Sequence, residues 1–299
     1  MAVVARLEHP VVVGVAGVGV DDVALEWAGR TARRTGAELV VVHASEPEAL
    51  AARMAGGEAV AVTSVLEAEE ELVAELEQHA AALGERLGVT VRTDVSRGSP
   101  TAALLAHQDD AALLVVGTGA RGALEEFVLG STSLGVAAHA RRPVAVVNAG
   151  VQVDSLDHGV VGLGLDGSDD SARAARAALA LGELTGASVT ALTTWFLEVV
   201  DGYVVTEPDS PEWAAVERRH AEALVRVLQP AVEAYPDVPV EWEVRRGAVV
   251  PTLLEAARGW DALVVGSRGR GSIRGWLLGS VSQRLMRSAP CPVIVSRAP

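Results

Sequence analysis

The chain contains no lysine. All 25 of its basic residues are arginine, which removes the P-loop lysine, Schiff-base chemistry and a lysine general base together. Cysteine is nearly as scarce. Cys291 stands alone, so there can be no intrachain disulfide and no cysteine-based zinc site, and its place before Pro292 reads as a buried, inert thiol. Positive charge is short overall: 39 acidic residues give a formal net charge of −14 with no basic tail. That argues against non-specific nucleic-acid binding, which draws its affinity from arrays of Lys and Arg. Aromatics are only 3% of the residues and unevenly spent. Trp27 belongs to the first half, whereas Trp195, Trp213, Trp242, Trp260 and Trp276 fall in the second and read mostly as core or interface residues. Long apolar runs are missing too. Pro10 to Val20 is too short to span a bilayer, follows Arg6, Glu8 and His9, and precedes Asp21 and Asp22. It reads as a buried strand, with no membrane association, and the protein as cytoplasmic.

What is present is a repeat. At 299 residues and 49% hydrophobic, the chain suits two domains of about 150 residues, each able to bury a core. In the first half, Pro10 to Ala16 has the unbroken apolar character of a central parallel strand, and a helix pattern from Asp21 to Arg34 ends at Gly36. Glu38 to Ala44 is a second strand. From about Ala61 to Leu87 an amphipathic helix repeats Val62, Val65, Leu66, Leu72, Val73, Leu76, Leu83 and Leu87 at helical intervals, so its acidic run is a solvated face and not a metal site. Val89 to Val95, a helix from Pro100 to His107, Ala112 to Gly117, a glycine loop, a helix from Ser131 and the strand Val144 to Val147 complete the unit. The second half repeats it element for element, from His158–Leu165 through the helix Ser210–Tyr235 to Pro292–Ser296, and Gly117 and Gly130 recur 149 residues later as Gly266 and Gly279. This predicts an α/β fold: two tandem doubly wound domains, 1–149 and 158–299, each a five-stranded parallel sheet flanked by helices, joined by Gly150 to Asp157. Ligands in such sheets bind beyond the carboxyl ends of the strands, where the winding reverses.

The stretch from Ala262 to Ser296 has the form of a phosphate cradle. The apolar strand Ala262-Leu263-Val264-Val265 runs into Gly266-Ser267-Arg268-Gly269, and after nine more residues Gly279-Ser280 opens a helix. Glycines let backbone approach a ligand, and a helix start turns unpaired N–H groups and partial positive charge towards it. Ser280 with Gln283 fits a capping box. Arg268, Arg270 and Arg274 lie between with no acid among them. The glycines alone fit a tight turn as well as a nucleotide site, and Asp166-Gly167-Ser168 alone reads as a turn and helix cap.

The spacing G-x-x-G, nine residues, G-S, followed by Pro292-Val293-Ile294-Val295, resembles the ATP-binding signature and last strand of the universal stress protein family. With the repeat in view, the resemblance covers nearly the whole chain as a tandem member and implies the strand order 3-2-1-4-5 in each half. It also implies ATP as ligand, with or without Mg²⁺, and assigns roles by position. Asp166 would contact the nucleoside and Thr194 would border adenine. Val265, Gly266, Gly269, Gly279, Ser280, Val281 and Ser282 would cradle ribose and phosphates, and Arg268 would favour the triphosphate by charge. In the first half Gly117, Gly130, Ser131 and Thr132 are weaker candidates, because Ala16 stands where Asp166 stands and Ala120 where Gly269 stands. Charge turns the same way. Arg121 is outnumbered by Glu125 and Glu126 there, against three arginines in the second-half stretch.

The resulting expectation is a stress-response protein in which ATP is a regulatory ligand bound by the second half. A dimerisation or interaction module without nucleotide, or a slow ATPase with Asp166 and Ser280 near metal or water, are the alternatives. Efficient hydrolysis is not expected, since no water-orienting residue is evident in the loop. The apolar last strands, Val144 to Val147 and Pro292 to Val295, predict that the two halves pair within a chain, and the resemblance implies a homodimer. Separately expressed halves should therefore recombine at micromolar concentration in analytical ultracentrifugation; halves that stay monomeric would refute the pairing.

Overall fold

The computed structural model describes residues 9–45, 62–119, 129–200, 203–205, 207–208, 210–269 and 278–297. The chain divides into two compact units, Met1–Ala149 and Gly150–Pro299.

In the first unit the strands are β1 (Val11–Gly14), β2 (Leu39–Ser45), β3 (Val91–Arg97), β4 (Leu113–Gly117) and β5 (Val144–Val147). They are all parallel, in the order β3-β2-β1-β4-β5. Between them run α1 (Asp22–Thr35), α2 (Val62–Leu87), α3 (Pro100–Ala106) and α4 (Ser131–His139). β1 and β4 are runs of Val and Leu with almost no exposure, as strands covered on both faces must be. α2 buries Val65, Leu76, Ala80, Leu83 and Leu87 and turns Glu67, Glu70, Glu71, Glu75 and Glu77 to solvent; Leu66, expected on its apolar stripe, is exposed instead.

The second unit repeats this with β6 (Val160–Gly164), β7 (Ser188–Trp195), β10 (Val240–Arg246), β11 (Ala262–Gly266) and β12 (Val293–Ser296). Their order is β10-β7-β6-β11-β12, again all parallel. Its helices are α5 (Asp169–Thr185), α6 (Pro211–Ala234), α7 (Val249–Ala256) and α8 (Ser280–Ser288). α1 and α5 both end on a left-handed glycine, Gly36 at φ 65° and Gly186 at φ 71°, a conformation that costs glycine nothing. α5 and α6 begin with serine caps: Ser168 and Ser210 accept from the N–H of Ser171 and Trp213. Within β6, Gly162 leaves room for the Trp260 ring, which a Cβ there would overlap.

Several details depart from the expectations. β3 and β10 begin two residues later than the apolar pattern suggests, because as edge strands they alternate with exposed residues and lack a continuous hydrophobic run. The segment 150–157 is no open spacer; it holds a 3₁₀ turn, Val153–Ser155, with Val151, Val153 and Leu156 buried. A two-stranded antiparallel hairpin, β8 (Val199–Val200) and β9 (Tyr203–Val204), follows β7 unannounced. Among the described residues no helix is long and apolar enough to cross a membrane.

Cys291 is buried before β12, and burial, aided by the negative charge of Asp261, pushes its thiol up to about 12. Since the thiolate is the reactive form, the folded protein should consume no disulfide reagent at neutral or mildly alkaline pH. One equivalent should react once denaturant exposes the residue; rapid reaction of the native protein would refute this.

Candidate functional site

At the carboxyl ends of β6, β7 and β11 the second unit encloses a cavity of about 520 Å³, within the range of small-molecule sites. It is bordered by Asp166, Thr194, Val265, Gly266, Arg268, Gly269, Gly279, Ser280, Val281 and Ser282, so the sequence-predicted positions converge on one space. Its remaining lining includes Leu165, Leu192, Leu224, Val249, Leu253 and Leu278, an apolar wall, together with Ser171, Thr193, Ser267 and His220. These last were not singled out from the sequence. Ser171 could have been, as the residue three beyond the cap Ser168; His220 lies mid-helix and carried no local signal.

Two carboxylates fix the loops. Asp166 leaves β6 and is held at Oδ1 by the N–H of Ser168 (3.0 Å) and the hydroxyl of Ser171 (2.7 Å), whose oxygen accepts from the Asp166 N–H (3.1 Å). Asp170, buried in the first turn of α5, accepts at Oδ2 from the Ser267 hydroxyl (2.7 Å) and the Arg268 N–H (3.0 Å), while Oδ1 faces Arg173 (3.2 Å). The start of α5 is thereby clamped to the turn after β11.

Each glycine of the motif has its own reason. Gly266 is required by packing, since a Cβ would lie 2.8 Å from Cβ of Asp170. A Cβ on Gly269 would collide with Oδ2 of Asp166. No left-handed backbone is involved at either position, so these two glycines answer a demand for space. Gly279 is different again. At φ −75°, ψ 154° its backbone suits any residue, and a Cβ would meet the nearest atom, the Ser267 carbonyl oxygen, at an ordinary 3.4 Å. Among the described residues no neighbour demands a glycine there.

The helix start after Gly279 corrects one expectation. Gly279 is the N-cap and Ser280 the first helical residue, one place too late to cap; among the described residues no side chain caps α8, and Gln283 instead donates through Nε2 to the Leu278 carbonyl (3.3 Å). The first turn therefore presents uncapped backbone beside the cavity. Ser282 is buried, and its hydroxyl points to the carbonyls of Gly279 (2.9 Å) and Ser267 (3.2 Å), bracing the loop. Trp195 does not border the cavity. It packs edge-on to Trp213 (4.7 Å between ring centroids), with the Arg246 guanidinium over both rings. Arg270, Arg274 and Trp276 lie outside the described residues.

The first unit places its candidates similarly but furnishes them differently. Gly130 is the N-cap of α4 at φ −61°, ψ 154°, followed by Ser131 and Thr132, and Gly117 ends β4. The Ala16 N–H bonds to Oδ2 of Asp21 (2.8 Å), the place Ser171 fills in the repeat, and Oδ1 of Asp21 lies where a Cβ on Gly117 would be. His43, which by strand register answers Thr193, is buried with Nδ1 3.0 Å from the Val15 carbonyl. Ala120, Arg121, Glu125 and Glu126 lie outside the described residues.

Comparison with known proteins adds the lineage. The model of the universal stress protein family matches residues 8–148 and again 159–297. A universal stress protein of Mycolicibacterium smegmatis is 35% identical over 97% of both chains. One of Mycobacterium tuberculosis is 30% identical over 98% of both. Among solved structures, a universal stress protein from Archaeoglobus fulgidus shares the fold at TM-score 0.70 and 20% identity, covering 97% of this chain and 99% of its own.

The contact between Asp166 and Gly269 generates a prediction. Gly269→Ala should cost about 1–2 kcal/mol, the hydrogen bonds Asp166 would give up to make room. Adding Asp166→Ala should cost little more, giving a clear coupling in a denaturant double-mutant cycle. Strictly additive losses would show that the two positions are independent.

Proposed function

Because the chain belongs to the universal stress protein family, with its domain present twice, we propose that the second half binds ATP as a regulatory ligand and the first half binds it far more weakly. Gly279 carries this reading. A glycine that no described neighbour requires, at the start of a helix and on the rim of a cavity, is what close approach of a phosphate to backbone calls for. Arg268 borders the same end and supplies the positive charge a polyphosphate needs. Asp166, oriented by Ser168 and Ser171, is placed to accept from ribose hydroxyls. The apolar wall formed by Leu192, Leu224 and Leu253 suits a base.

ATP in this reading biases conformation or partner choice and is not turned over efficiently. Among the described residues no three His, Cys, Asp or Glu side chains form a metal-binding group, so a Mg²⁺ ion would arrive with the phosphates. The first half lacks the nucleoside carboxylate at Ala16 and fills the Thr193 position with His43. A lost charged hydrogen bond and a filled base site together separate the two halves by about 100-fold or more in affinity.

Calorimetry should find one tight ATP per chain. Binding should be abolished by Asp166→Ala or Gly279→Val and left intact by Gly130→Val, while Arg268→Ala should weaken ATP more than adenosine. Mass spectrometry of ligand released from freshly purified protein should identify an adenine nucleotide. Two equivalent tight sites, or binding that survives both second-half substitutions, would refute the proposal.

A further inference from the structure

The cavity has a second end, away from the glycines. α6 packs on β7 and β10, so its residues border the cavity two strand spacings, about 10 Å, from the glycines after β11. There Ala223, Leu224, Val249 and Leu253 are apolar, and His220 is the one ionisable side chain among them.

His220 is held in a defined orientation. Its Nε2 lies 2.9 Å from Oε1 of Glu198, whose other oxygen pairs with Arg219. The hydrogen bond from His220 keeps the Glu198 carboxyl below the usual carboxylate range, against the opposing effect of burial and with help from Arg219. An ionised carboxylate only accepts, so Nε2 must carry the ring proton. In the neutral imidazole whose Nε2–H is given to Glu198, Nδ1 is an acceptor, and it has no hydrogen-bond partner among the described residues. His79 and His107 also turn Nε2 to a carboxylate, Asp22 (3.4 Å) and Asp94 (3.1 Å), but neither borders this cavity, and Nδ1 of His139 and of His43 face the Gly135 and Val15 carbonyls.

We infer that His220 determines which base the cavity accepts: Nδ1 takes a hydrogen bond from the exocyclic amino group of an aminopurine and discriminates against the oxo counterpart, which offers an acceptor there. The inference rests on the nucleotide reading above, but a cavity that held ATP by phosphates and apolar wall alone would show no such preference. A site built to hydrogen-bond a donor rejects the analogue lacking it, because the site's own acceptor is then left unpaired.

The test is calorimetric titration of the full chain with ATP, inosine triphosphate and inorganic tripolyphosphate. The wild-type protein should prefer ATP to inosine triphosphate by about tenfold or more. His220→Gln keeps an amide donor long enough to reach Glu198 but offers no acceptor at the Nδ1 position, and should lose the preference. His220→Asn restores an oxygen near Nδ1 without reaching Glu198 and should keep much of it. Tripolyphosphate affinity should be the same in all three. If His220→Gln retains the ATP preference, or loses tripolyphosphate as severely as ATP, the residue serves only to tie α6 to Glu198 and the inference is overturned. If the wild type binds tripolyphosphate but not ATP, or neither, the nucleotide reading falls and this inference with it.

Discussion

The second-half site depends on the buried carboxylate of Asp170. It comes from the first turn of α5 and takes hydrogen bonds from the Ser267 hydroxyl and the Arg268 N–H, so the loop after β6 and the loop after β11 form one body. A buried charge is tolerated when its oxygens are satisfied, and here Arg173, a hydroxyl and a backbone donor share them. Removing the carboxylate would leave Ser267, itself fully buried, and the Arg268 amide without their partner. The clamp also explains Gly266, because helix and strand can approach this closely only where the strand residue has no side chain.

The first half meets the same demand from another position. Asp21 answers Ser171 in the repeat, not Asp170, yet its carboxylate lies against Gly117 as Asp170 lies against Gly266. Doing so uses it on the Ala16 N–H, the bond that Ser171 makes for Asp166. One carboxylate in the first half therefore stands in for a carboxylate and a hydroxyl in the second. The substitutions at 16 and 120 belong together on the same grounds. The second-half glycine at 269 makes room for the Asp166 carboxylate, and where the first half has alanine at 16 it also has alanine, not glycine, at 120.

Most of the fold was legible because central parallel strands are buried on both faces and leave unbroken runs of Val, Ile and Leu, as Val11–Val13 and Leu263–Val265 do. The duplication was legible from glycine spacing alone. The glycine-lined border of the cavity was legible for the same reason, since close packing against Asp170 and Asp166 leaves glycines behind. Three features were not. The edges β3 and β10 alternate polar and apolar residues and blur their own boundaries. Ser280 looks like a cap by type, and only the backbone shows Gly279 holding that place. His220 and Leu224 reach the cavity because α6 crosses β7, a tertiary fact with no local spacing to report it.

His43 marks a difference in packing between the two halves. At the Thr193 position of the second half a short side chain leaves space open at the end of the strand. At the same register position in the first half an imidazole is buried and hydrogen-bonded to the Val15 carbonyl, so the volume becomes packing and the carbonyl gains a partner. Filling a crevice with a satisfied polar ring is favourable to folding and adverse to a ligand that needs the same volume. The strands, the left-handed helix stop at Gly36 and the carboxylate under Gly117 are kept, because the sheet requires them. Groups bordering the second-half cavity are among those that differ between the halves. In the second half the open cavity goes with a helix start that no described side chain caps and a glycine that no described neighbour requires.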